Sequence, residues 1–212
     1  SGEKGGFPVF PINWWGETNL VGFRDVGIIP GGLINYLATL GWAPKEGAEV
    51  LSLQKLTEVF SLESVVSSAA NFDFEKLKWY NQKHIQITEN IKLAEILHGI
   101  NSDTTKVGKV KLSEAIALVK ERANTITELW GLMNYLFFDP KVYDEKSLKK
   151  ISKAGLKEIV SEVIRSSKKK ENNSSFVKDL KSWGERVGIG AGQIMMTTRV
   201  ILAGSLVGID LQ

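Results

Sequence analysis

Residues 112–137 read LSEAIALVKERANTITELWGLMNYLF, and no other part of the chain shows its secondary structure as clearly. Apolar residues with the three- and four-residue spacing of one helix face lie at Leu112, Ile116, Val119 and Ala123. Thr125-Ile-Thr-Glu128 follows and has the pattern of a capping box, in which Thr and Glu side chains bond free amides at a helix start. The stretch therefore predicts two consecutive helices, the second ending near Asp139-Pro140.

Three further helices are predicted on the N-terminal side, each from a start signal. Pro30 suits the first turn of a helix that Gly41 ends, and Ser52 and Asp73 are good N-caps for the next two. The apolar positions predicted to face the core are Leu33, Leu37 and Leu40 in the first helix, Leu53, Leu56 and Phe60 in the second, and Leu77 and Tyr80 in the third.

The two ends of the chain differ in their pattern. Two helices are predicted around residues 156–164 and 176–187, and a last one ends at Gly204. The first 28 residues have no helical period and indicate extended segments, turns and a hairpin. The predicted fold class is mainly α, with a small α/β region followed by an all-helical array.

Composition indicates a soluble globular protein. The chain has 212 residues, of which 43% are hydrophobic and 24% charged, and it has no cysteine. No apolar run approaches the ~20 residues that a membrane-spanning helix needs, and no signal peptide is visible. We therefore expect a cytoplasmic protein without a membrane partner.

Charge is unevenly distributed along the chain. Up to residue 85 there are seven Lys/Arg against nine Asp/Glu, whereas from residue 86 onward there are 20 against 15. A phosphate-bearing partner would prefer the second part. The alternative, a set of solvated lysine-rich helices, remains open on charge alone.

The sequence shows no catalytic site. The two histidines, His84 and His98, have no spacing typical of a zinc site or a general-base pair, and no nucleotide-binding loop is present. Gly188-x-Gly190-x-Gly192 is typical of a turn between helices. We therefore expect this chain to be non-catalytic on its own and to hold no cofactor.

Four runs, in order, resemble the C-terminal half of bacterial glutamyl-tRNA synthetase. They are Pro30-Gly-Gly-Leu-Ile-Asn-Tyr-Leu-Ala-Thr-Leu-Gly-Trp42, Phe72-Asp-Phe-Glu-Lys-Leu-Lys-Trp-Tyr-Asn81, Leu118-Val-Lys-Glu-Arg122 and Gly192-Gln-Ile-Met-Met-Thr-Thr-Arg-Val-Ile-Leu-Ala-Gly204. Gly6-Phe-Pro-Val-Phe-Pro11 is similar to the Bacteroidetes-type branch, where it follows the ATP-binding Lys-Leu-Ser-Lys-Arg loop. By this resemblance the chain is expected to begin just past the catalytic domain.

The resemblance implies a class I synthetase that, at full length, activates glutamate with ATP and Mg²⁺ and transfers it to tRNA(Glu). It also implies three parts: residues 1–85 as the remainder of a stem-contact domain, and 86–140 and 141–212 as two helical subdomains of an anticodon-binding cage. The implied partners are tRNA(Glu) and the chain's own catalytic domain, in a monomer.

Three basic residues are the candidate tRNA contacts. Arg122 matches the family arginine that contacts the third anticodon base, which is cytosine in glutamate tRNAs and guanine in glutamine tRNAs. The pairing edge of cytosine offers acceptors and that of guanine offers mainly donors, so an arginine, which only donates, suits cytosine. Arg199 matches a motif arginine of the last helix, and Lys181 stands where some relatives have arginine.

Departures from the family pattern leave other interpretations open. Gly31-Gly32 replaces Glu-Ala, Thr197-Thr198 replaces Pro-Leu, and Gly208-Ile-Asp-Leu211 replaces a Gly-Pro tail that touches the anticodon in the family. The two glycines should cost the helix about 0.5–1 kcal/mol each relative to Ala. One alternative is a non-discriminating synthetase that also charges tRNA(Gln), and another is a helical protein-interaction module without an RNA partner.

Overall fold

The computed structural model describes residues 21–44, 47–66, 71–151, 154–168 and 173–208. The chain divides into two compact units, Ser1–Gly131 and Leu132–Gln212, called here the first and second units. Across the described residues the structure is helical, and its one strand pairing is an isolated antiparallel bridge between Trp42 and Val65. The prediction of a mainly α fold is confirmed. None of the described helices is long and apolar enough to span a membrane.

The first unit is built from seven helices in the part of the chain that the structure describes. These are α1 (Phe23–Val26), α2 (Pro30–Thr39), α3 (Leu53–Val59), α4 (Phe74–Ile87), α5 (Asn90–Ile100), α6 (Lys109–Val119) and α7 (Ile126–Met133). Short 3₁₀ turns lie at Leu62–Ser64, Ser102–Lys106 and Lys120–Arg122.

The second unit continues with helices alone over its described residues. They are a 3₁₀ turn at Asn134–Leu136, then α8 (Glu145–Lys150), α9 (Leu156–Ser167), α10 (Asn173–Val187) and α11 (Ala191–Ala203). Its core is formed by Ile159, Val163, Leu180 and Ile194. Trp183 packs against this cluster, as its helical spacing predicts.

Most helix boundaries follow the local signals in the sequence. Pro30 is the first residue of α2, and the Ser52 hydroxyl accepts a hydrogen bond from the Lys55 amide at 3.1 Å at the start of α3. Asp73 caps α4 by accepting from the amides of Glu75 and Lys76 at 2.9 and 3.1 Å. Each predicted cap satisfies amides that have no partner within the helix itself.

Tyr36 ties α2 to the start of α4 in the core of the first unit. Its ring is fully buried with Leu77 and Tyr80 and meets the edge of Phe72 at a centroid distance of 5.1 Å. Its hydroxyl oxygen accepts a hydrogen bond from the Asp73 amide at 2.6 Å. Burial raises the pKa of Tyr36, so the phenol stays neutral.

Helices α2 and α4 approach each other at two glycines. A Cβ atom on Gly31 would lie 2.8 Å from Nδ1 of His84, and one on Gly32 would lie 2.7 Å from the Cα of Asn81. Real Cβ atoms do not come so close to other heavy atoms, so the glycines permit this packing distance. The low helix propensity of Gly31-Gly32 is thus offset by contacts that larger residues would prevent.

Three of the apolar positions predicted to face the core are exposed instead. Leu37, Leu53 and Phe60 are 47%, 56% and 45% exposed, so these predictions are wrong. In α2 the polar residue Asn35 is buried instead. Its side-chain Oδ1 accepts from the Leu51 backbone amide at 2.8 Å, and its Nδ2 donates to the Glu49 carbonyl at 3.1 Å. Because both the oxygen and the nitrogen of the Asn35 side chain have hydrogen-bond partners there, the residue can be buried.

The predicted hairpin near the N-terminus falls mostly on residues 1–20, which lie outside the described residues. Within the remaining part of that stretch, residues 23–26 form α1 rather than an extended segment, and Gly27 ends the helix with φ 92°. The Ile28 amide then bonds back to the Phe23 carbonyl at 2.9 Å. This backbone hydrogen bond stabilises α1, which is too short to show a helical period in the sequence.

Candidate nucleic-acid interface

Arg122 lies on the 3₁₀ turn that follows α6. Helix α6 buries Leu112, Ile116 and Val119, and the chain then tightens into the turn Lys120–Arg122. Arg122 is exposed on this turn, whereas the next residue, Ala123, is fully buried. The backbone is therefore anchored on both sides of an arginine whose charged group reaches the surface.

The capping box holds the chain between Arg122 and α7. The Thr125 hydroxyl accepts from the Glu128 amide at 3.2 Å, as predicted from the sequence. The Glu128 carboxylate reaches back and accepts from the Asn124 amide at 2.7 Å, one residue before the expected position. Two side chains thus satisfy free amides at this helix start and fix how α7 leaves the turn.

Asn81 of α4 connects the same segment to the start of the first unit. It is fully buried, its Oδ1 accepts from the Ile29 amide at 2.8 Å, and its Nδ2 donates to the carbonyls of Gly27 at 3.2 Å and Asn124 at 2.6 Å. Sequence reasoning assigned it no role. Its place at the end of the family-like run Trp79-Tyr-Asn81 was the available signal.

The other two candidate residues lie in the second unit. Arg199 is half-buried on α11 between Thr198 and Val200, which are both buried, and Lys181 is half-buried on α10 beside the buried Leu180. Each basic residue is therefore partly accessible and lies next to buried neighbours on its helix. Their roles in tRNA binding remain predictions.

The residues after α11 fold back onto the start of α8. Gly204 ends α11 in the left-handed region, with φ 72°, and its carbonyl accepts from the Asp144 amide at 2.8 Å. The Ser147 hydroxyl donates to Asp144 at 2.6 Å and accepts from the Leu206 amide at 3.0 Å. Hydrogen bonds from the Ser147 hydroxyl and amide hold the pKa of Asp144 below its usual value. The tail is therefore held as far as the described residues extend.

Both histidines make hydrogen bonds inside the first unit. His84 Nε2 donates to Asn35 Oδ1 at 2.9 Å, and His98 Nε2 donates to the Val107 carbonyl at 3.2 Å. Burial lowers the pKa of His84, so the ring is neutral at pH 7. Over the described residues, no group of three or more His, Asp or Glu side chains could hold a metal ion.

Comparison with protein families identifies the helical array. The family model for the anticodon binding domain matches residues 74–212, which includes Arg122, Lys181, Arg199 and the capping box. The chain belongs to the anticodon-binding domain family. The match begins at the first residue of α4, so the family's domain comprises α4 to α11 of this chain.

The curated relatives of this anticodon-binding chain are glutamate–tRNA ligases. The ligase of Christiangramia forsetii is 36% identical over 216 residues, covering 99% of this chain and 43% of that protein. The ligase of Porphyromonas gingivalis is 35% identical over 217 residues, covering 98% of this chain and 42% of that protein. The chain thus spans about two fifths of the length of these relatives. The resemblance inferred from the sequence is confirmed.

Solved structures give the same result for the fold. The crystal structure of a glutamate tRNA ligase from Elizabethkingia meningosepticum superposes with a TM-score of 0.81 at 30% identity, covering 99% of this chain and 43% of that one. The Elizabethkingia anophelis enzyme gives a TM-score of 0.76 at the same identity. The comparisons give no support to an interaction module without RNA or to charging of glutamine tRNA.

Proposed function

We propose that this chain is the tRNA-recognising part of a glutamate–tRNA ligase and that it binds tRNA(Glu) at the anticodon loop and the inner corner. The observation that carries the proposal is the family match over residues 74–212. The excess of basic residues after residue 86 supports it, because a phosphate-bearing partner is attracted to positive charge.

The activity proposed for the full-length protein is activation of glutamate and its transfer to tRNA. ATP and Mg²⁺ supply the activation chemistry in the part of the protein outside this chain. The residues described here bind and orient the tRNA, and they contribute no reacting group. The protein is proposed to act as a cytoplasmic monomer whose tRNA-binding part works with its own catalytic domain.

Each part of the chain has a proposed role. Residues 1–85 contact the inner corner of the tRNA, and residues 86–140 and 141–212 enclose the anticodon loop. Arg122 contacts the third anticodon base, because an exposed arginine on a fixed turn can offer two parallel donors to acceptors on cytosine. Arg199 and Lys181 contact the tRNA through charge.

Salt dependence of binding tests this function. The chain is titrated with fluorescent tRNA(Glu) transcript between about 50 and 200 mM salt, and the logarithm of the affinity is plotted against that of the salt concentration. Each phosphate contact should add a slope of roughly −0.7 to −0.9, so phosphate contacts by Arg199 and Lys181 predict a slope of about −1.5 or steeper. A transcript of unrelated sequence measures non-specific binding. Absence of binding at low salt, or an affinity that salt does not change, would contradict the proposal.

A further inference from the structure

The 3₁₀ turn that carries Arg122 receives donors from α4. The carbonyl of Glu121, next to Arg122, accepts from Nε2 of Gln82 at 3.5 Å and from Nε2 of Gln86 at 3.4 Å. Carbonyls at the C-terminal end of a helix lack partners within the helix. Gln82 and Gln86 stand four residues apart and so share one face of α4, which explains why both reach the same oxygen.

The turn is also held at its two ends. Lys120 Nζ donates to the Thr88 carbonyl at 3.2 Å, just after α4, and Asn81 donates to the Asn124 carbonyl at 2.6 Å. Asn81 also holds the Gly27–Ile29 segment, so replacing it would disturb the core. Gln82 and Gln86 are half-buried at the surface, and among the described residues their amide donors bond only the turn. They are therefore the residues through which the turn can be altered selectively.

We propose that Gln82 and Gln86 are positioning residues that fix the Lys120–Arg122 turn so that Arg122 reads the third anticodon base. This inference rests on the proposed role of Arg122. A bidentate contact tolerates an error of only about 0.5 Å in the placement of its donors. The position of the backbone at Glu121 and Arg122 determines where the guanidinium can reach. The two side-chain amides that bond the Glu121 carbonyl restrain this backbone, and motion of the backbone would weaken the preference for one base.

The test compares binding of two tRNA transcripts that differ only in cytosine or guanine as the third anticodon base. The double variant Gln82→Met/Gln86→Met keeps side-chain length and removes both amide donors. Gln54→Met on α3 is the matched control, because the Gln54 amide bonds Glu58 at 3.4 Å within its own helix. Arg122→Gln is made alone and together with the double variant, and the ratio of the two dissociation constants is measured for each protein.

In the double variant we expect the preference for cytosine, measured as the ratio of the two dissociation constants, to fall about three- to tenfold, with little change in Tm. Gln54→Met should keep the wild-type ratio. In the Arg122→Gln background the two methionines should change nothing more, because their effect acts through Arg122. If the double variant fails to fold, the single variants Gln82→Met and Gln86→Met each retain one donor and should give intermediate ratios.

Each contrary result has its own meaning. If Arg122→Gln lowers the ratio but the methionine variants leave it unchanged, the positioning role is wrong and the proposed function stands. If the methionines lower the ratio further in the Arg122→Gln background, they act on another contact and the positioning role is again wrong. If Arg122→Gln itself leaves the ratio unchanged, the base-reading role of Arg122 fails, and the positioning role fails with it.

Discussion

Gly32 and Asn81 bring α2 and α4 into direct backbone contact, since a Cβ atom on Gly32 would lie 2.7 Å from the Asn81 Cα and 2.9 Å from its Oδ1. The same Oδ1 accepts from the Ile29 amide just before α2. At this packing distance a glycine, where the family pattern has Ala, leaves room for the buried Asn81 and its hydrogen bonds.

Gly32→Ala should lower the free energy of unfolding by up to about 2 kcal/mol, because overpacking against backbone costs about 1–3 kcal/mol and the gain in helix propensity returns only ~1 kcal/mol. Gly131→Ala is the matched control, since Gly131 is also inside a helix but a Cβ there would meet nothing within 4 Å. That control should be neutral or slightly stabilising. Urea unfolding of both variants measures the difference, and equal stabilities would contradict the close contact.

Stability should fall as pH is lowered through the range where histidine titrates. Burial lowers the pKa of His84 below its ordinary 6.5, so below that pH the unfolded chain takes up a proton that the folded chain does not. The loss begins near pH 6.5, continues until the folded-state pKa is passed, and is absent at higher pH. His84→Gln can still donate to Asn35 but does not titrate. Unfolding free energies at about pH 7.5, 6.5 and 5.5 should fall less for this variant, and parallel curves would refute the prediction.

Arg122→Gln in the full-length protein should relax selection of the third anticodon base. Glutamine offers both a donor and an acceptor, so guanine becomes tolerable while cytosine loses a charge-assisted bond. We expect a change of roughly 1–3 kcal/mol in the ratio of kcat/KM for glutamate and glutamine tRNAs. Arg186→Gln, at another exposed helical arginine, is the control and should not change that ratio. An unchanged ratio with folded Arg122→Gln would make Arg122 a packing or phosphate residue.

Arg199→Gln and Lys181→Gln should weaken binding to all tRNA sequences alike. A residue that contacts phosphate carries no base information, so its removal should make the salt slope shallower by about 1 and leave sequence preference unchanged. Lys178→Gln, at an exposed lysine of α10, provides the comparison for a solvated charge. If Lys181→Gln behaves as Lys178→Gln does, Lys181 is a solvated lysine as well.

Ser147→Ala should loosen the tail after α11. The variant removes the acceptor of the Leu206 amide and should lower the free energy of unfolding by about 1–2 kcal/mol. Hydrogen exchange at the Leu206 amide should speed up. Ser167→Ala is the control, because the Ser167 hydroxyl bonds the Ile164 carbonyl within α9 and is exposed. Unchanged exchange at Leu206 would show that other contacts hold the tail.

The sequence by itself determined where several of the helices begin and end. Ser52, Asp73 and Thr125 act on amides two or three residues away, and Gly204 adopts a backbone conformation that other residues avoid. Such signals depend on neighbours along the chain and are present before the chain folds. The family resemblance likewise made Arg122 a candidate tRNA contact, because a motif is carried by the sequence alone.

Tertiary structure decided which residues face the core and which hold the turn that carries Arg122. Apolar spacing predicts that Leu37 is buried, but in the structure Asn35 is buried and Leu37 is exposed. The Asn35 side chain forms hydrogen bonds with the backbone of Glu49 and Leu51, and the sequence around Asn35 does not reveal these partners. Gln82 meets the carbonyl of Glu121 across 39 positions in the sequence. Hydrogen bonds over such separations exist only once helices have packed side by side, and the distance at which α2 and α4 pack depends on Gly32.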